Sequence, residues 1–547
     1  EAMITASTLI TLFVVFLGGH FALALFRPSR RRGAAELHGT ALLLGLALLP
    51  ALVTGLALAI GPLGVGLTRA LAAVLCAGGA IALYRRHQLK PSMEARPPLR
   101  SPRSAEELLC LLGFGLILAF GAFIVFYTAT MPMHIFDPVF HFAYKGKLLY
   151  SEGLMTSSWM DVEDSLGRII THPDYPPGVG ALEAFCGWIG GVFSEDAARP
   201  LFALFALALG AFLFGTLKDL GRSGSWLAPI TGTLLWLSTP FLYYSRLPHD
   251  NWVKGAYGLF FGPDAAQAKY GDTIGPKGPI LGEWSTPDGW TLDGAGDLPL
   301  AALFCSGFIV LLRFVLTDRE RRDTADLLIA GALLGGGALM KNEGLALLPV
   351  VVIAIGITWL LELRRKPATA LKGRALSTPS ALALTMIVAL VVASPWLAVR
   401  GDIPTIGEDY PSRLSPSGLL ESWSSTQPVH LSPSTNEIAE VPVPRIVGGG
   451  FLDAFTQIPR FGIVWLLFLA TCVLGLARPK RFLRTPAFPA ALVVLGACAL
   501  YALVLLVTPW NLEALFNTAI PDRLIFHVAP LAIFASILIL DHSGERE

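Results

Sequence analysis

MPMHIFDPVFHFAYKGKLLYSEGLMTSSWMDVEDSLGRIITHPDYPP, residues 131–177, lies between two apolar runs and holds charged and aromatic groups together. A charge at a membrane boundary costs energy unless it is solvated, paired or used. Asp137-Pro138 has the form of a helix start, with a carboxylate at the N-cap and proline at the first helical position. His141 follows one turn later on the same face. Tyr144, Lys145 and Lys147 continue the polar side, against Phe140, Phe142, Leu148 and Leu149 on the apolar side. The pattern predicts an amphipathic interfacial helix with a carboxylate at its head. The stretch closes on His172-Pro173-Asp174-Tyr175-Pro176-Pro177, where three prolines fix φ and hold their neighbours extended. So stiff a segment can hold Asp174 or His172 against Asp137.

Outward from this stretch the chain is apolar. Of 547 residues, 54% are hydrophobic and only 15% charged, against ~25% in soluble domains. Runs approaching the ~20 residues that cross a bilayer recur throughout. We expect spans near 3–26, 37–60, 65–84, 105–129, 199–217, 226–245, 298–316, 325–341, 344–362, 380–398, 461–477, 487–507 and 523–540. Residues 178–195 read as a re-entrant or interfacial helix. The expected fold is an all-α polytopic membrane protein with about 13 transmembrane helices. The net charge of +1 gives no case for nucleic acid. Six scattered cysteines, with no CxxC pair, indicate neither a disulfide framework nor a zinc cluster. The first span, followed by arginines rather than a cleavage pattern, reads as a retained anchor.

The short loops 27–32, 85–103, 218–222, 313–322, 364–374, 478–484 and the C-terminal tail hold 26 of the 41 Lys and Arg. Short basic loops face the cytoplasm, so the C-terminus is expected inside. The long loops 130–197, 246–297, 399–460 and 508–522 are then expected outside. Several outer helix ends carry ionisable groups: Asp297 opens one span, Lys341-Asn342-Glu343 fills a tight turn, and Arg523 heads the last span. Each alone is a cap or an anchor. Together they suit a site, because a lipid phosphate needs fixed cations and an acceptor hydroxyl needs a carboxylate base. Arg246 and Arg460 are further cations near outer ends.

In its pieces the chain resembles the GT-C superfamily of membrane glycosyltransferases, most closely glycosyltransferase family 39 and relatives. That group includes bacterial protein O-mannosyltransferases and aminoarabinose transferases. The pieces are DPVFHFAYKGKLLYSEG at 137–153, HPDYPPGVGALEAF at 172–185, GDLPLAALF at 296–304, GGGALMKNEGLALLPV at 335–350 and DRL at 522–524. They span roughly residues 105–540 and stand in the family's order. Each motif is short; their order carries the resemblance. The resemblance implies a GT-C-like bundle, with Asp137 as the catalytic carboxylate of the first outer loop. It also implies a polyprenyl-phosphate-linked sugar donor and an extracytoplasmic acceptor that is a glycan, lipid or protein. The cell is implied to be bacterial and the membrane its inner one. On this reading His141, His172, Asp174, Tyr175, Asp297 and Glu343 support the acceptor and the active site. Lys341 and Arg523 hold the donor phosphate, with Arg246 and Arg460 behind them. Asp137, His141, His172 and Asp174 are residue types that can hold a divalent metal, though at no specific metal spacing; no other cofactor is expected. The division follows as residues 1–104, a three-helix extension that departs from the family pattern, 105–365, the conserved membrane module, and 366–547, a variable module. A transporter or flippase of lipid-linked sugars is the alternative in another class. A polymerase or ligase with a diphosphate-linked donor shares the site logic.

Overall fold

The computed structural model describes residues 2–28, 32–61, 63–88, 104–130, 141–152, 174–221, 225–243, 292, 295–317, 321–363, 377–403, 410–430, 438–456, 458–512, 515 and 520–543. In chain order its main helices are α1 (Ala2–Phe26), α2 (Ala34–Ile60), α3 (Gly64–Gln88), α4 (Ala105–Thr130), α5 (Tyr144–Glu152), α6 (Gly178–Gly190), α7 (Pro200–Leu220) and α8 (Leu227–Leu237). There follow α9 (Asp297–Leu316), α10 (Thr324–Met340), α11 (Asn342–Leu363), α12 (Thr378–Arg400) and α13 (Pro416–Ser424). The chain ends in α14 (Val443–Thr456), α15 (Val464–Ala477), α16 (Ala487–Val507), α17 (Ile520–Phe526) and α18 (Ala529–Ser543). Between α13 and α14 lies one antiparallel hairpin, β1 (Thr426–His430) with β2 (Ile438–Pro442), in the register Thr426↔Pro442 to His430↔Ile438. The protein is therefore an all-α polytopic membrane protein with a small hairpin in one loop.

Among the described residues nine helices are long and apolar enough to cross a bilayer, or ten if the bent pair α17–α18 counts as one span. The remaining three expected spans form α8, α10 and α15, of 11, 17 and 14 residues. At ~1.5 Å per residue these fall short of a ~30 Å hydrocarbon core. Local chemistry shortens α8 and α15, whereas α10 has the length expected of it. Pro240 opens a 3₁₀ turn just after α8, so the expected run to 245 stops at Leu237. Gly462, at φ 58°, sets a left-handed residue before α15. Pro530 sits in the first turn of α18, and the pair α17–α18 bends by 53° at residues 527–528.

At the centre stands the buried pair α9 and α10. Close approach to α10 depends on glycine. A Cβ on Gly335 would lie 2.3 Å from the carbonyl oxygen of Ala389 in α12, and one on Gly336 would lie 2.5 Å from Cβ of Ala47 in α2. The helix starts on Asp323, whose carboxylate accepts from the Ala325 amide at 3.0 Å. Through Ala47 and its neighbours, α2 packs directly into this core, and α1 and α3 pack around it.

A buried ion network ties α2 to α7, α9 and α10 at one end of the bundle. Arg313 donates to Glu36 at 2.7 Å and to Asp219 at 3.1 Å, and Arg32 pairs with Asp326. Arg313 is 4% exposed and Glu36 2%. Removing one partner leaves the other charge buried without compensation, a change worth about 3–5 kcal/mol. Arg313→Met is accordingly expected to lower thermal stability in detergent strongly, with Glu36→Gln close behind. A melting temperature equal to wild type for both would show the network to be dispensable.

Candidate functional site

At one end of the bundle, four helix ends converge on Asp297. As the first residue of α9 its carboxylate is wholly buried. Lys341, in the one-residue joint between α10 and α11, donates to Oδ1 at 2.8 Å. Arg523, in α17, donates to Oδ2 through Nε and Nη2, both at 3.0 Å. Nε2 of His527, in the break between α17 and α18, lies 2.8 Å from Oδ1, and its Nδ1 lies 2.9 Å from the hydroxyl of Tyr501 in α16. A carboxylate can only accept, so the neutral ring carries its proton on Nε2 and Nδ1 accepts from Tyr501. Tyr501, His527 and Asp297 thus form a continuous buried chain.

Lys341 also reaches Oε1 of Glu343 at 2.9 Å, and Oε2 of Glu343 is buried with no hydrogen-bond partner among the described residues. Burial alone would pull the Lys341 pKa down; the Asp297 and Glu343 carboxylates outweigh it and hold the ammonium above its usual value. With His527 neutral, Lys341, Arg523, Asp297 and Glu343 sum to zero charge. The cluster therefore acts by donors fixed in place at hydrogen-bond range rather than by a long-range field.

A second group adjoins the first. Asn342 donates to the Asp174 carbonyl at 3.0 Å and to its carboxylate at 3.5 Å. A Cβ on Gly296 would stand 3.1 Å from the ring of Phe142. Tyr175 sits 5.7 Å from the His141 ring and 6.1 Å from the Phe142 ring, centroid to centroid. Lys145, in α5, donates to the Tyr175 carbonyl at 2.8 Å. Pro176 and Pro177 then lead into α6, whose first residue, Gly178, has room for no side chain because a Cβ would lie 2.4 Å from the Leu339 carbonyl oxygen. Burial raises the Asp174 pKa against the pull of Lys145. Burial lowers Lys145 to about 7, with Asp174 opposing.

That lysine predicts a pH dependence. Unfolded, it titrates near 10.5; folded, near 7. Between those values the unfolded chain holds a proton that the folded chain lacks, so stability rises with pH across the window. Below the window the desolvation penalty is complete. Lys145→Met should flatten this rise in a series of melting curves; a variant whose melting climbs as steeply as wild type would contradict it.

The structure thus brings together His141, Asp174, Tyr175, Asp297, Lys341, Glu343 and Arg523 at one end of the bundle. Arg460 joins them through an ion pair with Asp522, next to Arg523. Asp137, His172 and Arg246 lie outside the described residues. Both oxygens of Asp297 are engaged, by Lys341 and His527 on one side and Arg523 on the other. It works as a clamp on two cations. No group of three or more metal-ligating side chains occurs among the described residues. His527, Tyr501 and Asn342 were not read as site residues from the sequence. The first two are buried in apolar runs, where a polar ring is itself a signal. Comparison with family models, curated proteins and solved structures finds no match to this chain.

Proposed function

We propose that the chain is a membrane glycosyltransferase of the GT-C type, resembling family 39. It moves a sugar from a polyprenyl-phosphate-linked donor to an acceptor outside a bacterial inner membrane. The single observation that carries this reading is the Asp297 clamp, which sets Lys341 and Arg523 from two separate helix ends side by side next to the Asp174 group. Fixed cations at helix ends are what a lipid phosphate entering sideways from the bilayer would meet. The distribution of basic loops supports a site outside and a C-terminus inside.

In this mechanism Asp137 takes the proton of the acceptor hydroxyl as its oxygen attacks the anomeric carbon. The bond from that carbon to the phosphate oxygen breaks, and configuration inverts. The leaving lipid phosphate gains negative charge, which Lys341 and Arg523 stabilise. Asp174 and Tyr175 line the acceptor side.

Lys341→Met and Arg523→Met test the donor assignment. Each leaves Asp297 with the other cation and His527, while Lys341→Met also takes the ion-pair partner from Glu343, so binding is compared only in preparations whose melting shows them folded. Each removes a charged donor to phosphate, worth roughly tenfold or more in affinity. Donor binding by purified protein in nanodiscs reads this directly; full affinity in both folded variants would reduce the two residues to structural anchors. The broken pair α17–α18 favours one second reading, a transporter of lipid-linked sugar, since transporters place ligands at interrupted helices. A transporter moves the donor intact, whereas a transferase consumes it. A ligase or polymerase with a diphosphate-linked donor would release a lipid diphosphate instead.

A further inference from the structure

On the far side of α6 from the Asp174 group, α1 and α3 run parallel and form a cleft. They are tightest where Gly79 meets the Leu17 carbonyl, at 2.1 Å from a built Cβ, and where Gly78 meets the Phe21 ring at 2.7 Å. Nothing larger than glycine fits there. Toward their N-terminal ends the helices part. Ala6, Ile10 and Val14 on α1 then face Ala72, Ala73 and Cys76 on α3 across a cleft of about 430 Å³, roofed by Ile189 and Gly190 at the end of α6. The volume lies within the ~300–1,000 Å³ range of small-molecule sites. Its walls are apolar except for Ser7 on α1 and Arg69 beside the roof.

Arg69 is the sixth residue of α3, roughly 8 Å along the helix from its start. Its Nε and Nη2 donate to the Ile189 carbonyl at 3.1 and 2.9 Å, which places a cation at the C-terminal end of α6. Those bonds use one edge of the guanidinium. The side chain is exposed, and no carboxylate pairs with it among the described residues. A guanidinium on a spanning helix, beside an apolar cleft and without a counter-ion, calls for an anion at headgroup depth.

We infer that this cleft binds an anionic phospholipid of the surrounding leaflet, with one acyl chain between α1 and α3 and its phosphate on the remaining N–H groups of Arg69. The three N-terminal helices would then carry a lipid site of their own. The inference does not rest on the transferase reading, because no residue of the Asp297 or Asp174 groups takes part.

Native mass spectrometry of the full chain, titrated with phosphatidylglycerol or phosphatidylcholine, tests it. Wild type should hold one phosphatidylglycerol about tenfold more tightly than phosphatidylcholine. Arg69→Gln should erase that preference, and Ala73→Trp, which fills the cleft, should lose the bound lipid altogether. Cys76 supplies a test on unaltered protein. Its alkylation by a membrane-permeant maleimide, read by peptide mapping, should slow when phosphatidylglycerol is added and not when phosphatidylcholine is added. Equal retention of both lipids by wild type, or Cys76 alkylation indifferent to phosphatidylglycerol, would overturn the inference.

Discussion

Asp297→Ala is expected to be the most damaging single substitution in the site. It strands Lys341 and Arg523, 3% and 5% exposed, with no shared carboxylate, and leaves His527 without its acceptor. Breaking a buried ion pair from one side costs about 3–5 kcal/mol. Asp297→Asn should fall between, because it keeps an acceptor oxygen but loses the charge. The double variant Asp297→Ala with Lys341→Met should be less destabilised than the sum of the two singles, since the second change removes one stranded cation. Melting in detergent measures all four proteins. Additive losses would show that Lys341 and Asp297 do not depend on each other.

Much of this arrangement was legible in the sequence, and the legible parts share a property. Asp297, Lys341, Glu343 and Arg523 stand at the edges of apolar runs, where a charge is conspicuous. The ring of His527 is inside such a run, between Phe526 and Val528, and shows its role only when the break before Pro530 turns it toward Asp297. Tyr501 is likewise mid-run. Arg32 and Arg313 read as loop charges that set orientation; in three dimensions they are buried with Glu36 in a network that holds α2 to α9. Hydropathy located nine helices long enough to cross a bilayer among the described residues, or ten with the bent pair, and shorter helices at the other three expected positions. It did not give their lengths, because Pro240 and Gly462 act through backbone geometry that a running average of side-chain polarity ignores. The hairpin between α13 and α14 was missed because its strands are short and carry Pro428 and Pro442, which weaken the usual strand signal.

Asp137→Asn is expected to have the largest effect on chemistry. If Asp137 is the general base, the change removes the proton acceptor while keeping size and capping capacity. A positioned base contributes ~10² to 10⁴ in rate, so transfer should fall by that order with folding intact. If the residue only caps a helix, Asn caps about as well and transfer should be near normal. In that case Asp174, held by Asn342 beside the cation clamp, becomes the candidate base, and Asp174→Asn is the corresponding change.

The measurement that bears most directly on the central claim is turnover of a polyprenyl-phosphate-linked sugar by the purified chain in proteoliposomes, reading released polyprenyl phosphate and the sugar's final attachment. Wild type is expected to release polyprenyl phosphate as the sugar appears on an acceptor, and Asp137→Asn, folded and still binding donor, to do neither at a comparable rate. Intact donor carried across the bilayer with no phosphate released would contradict that claim.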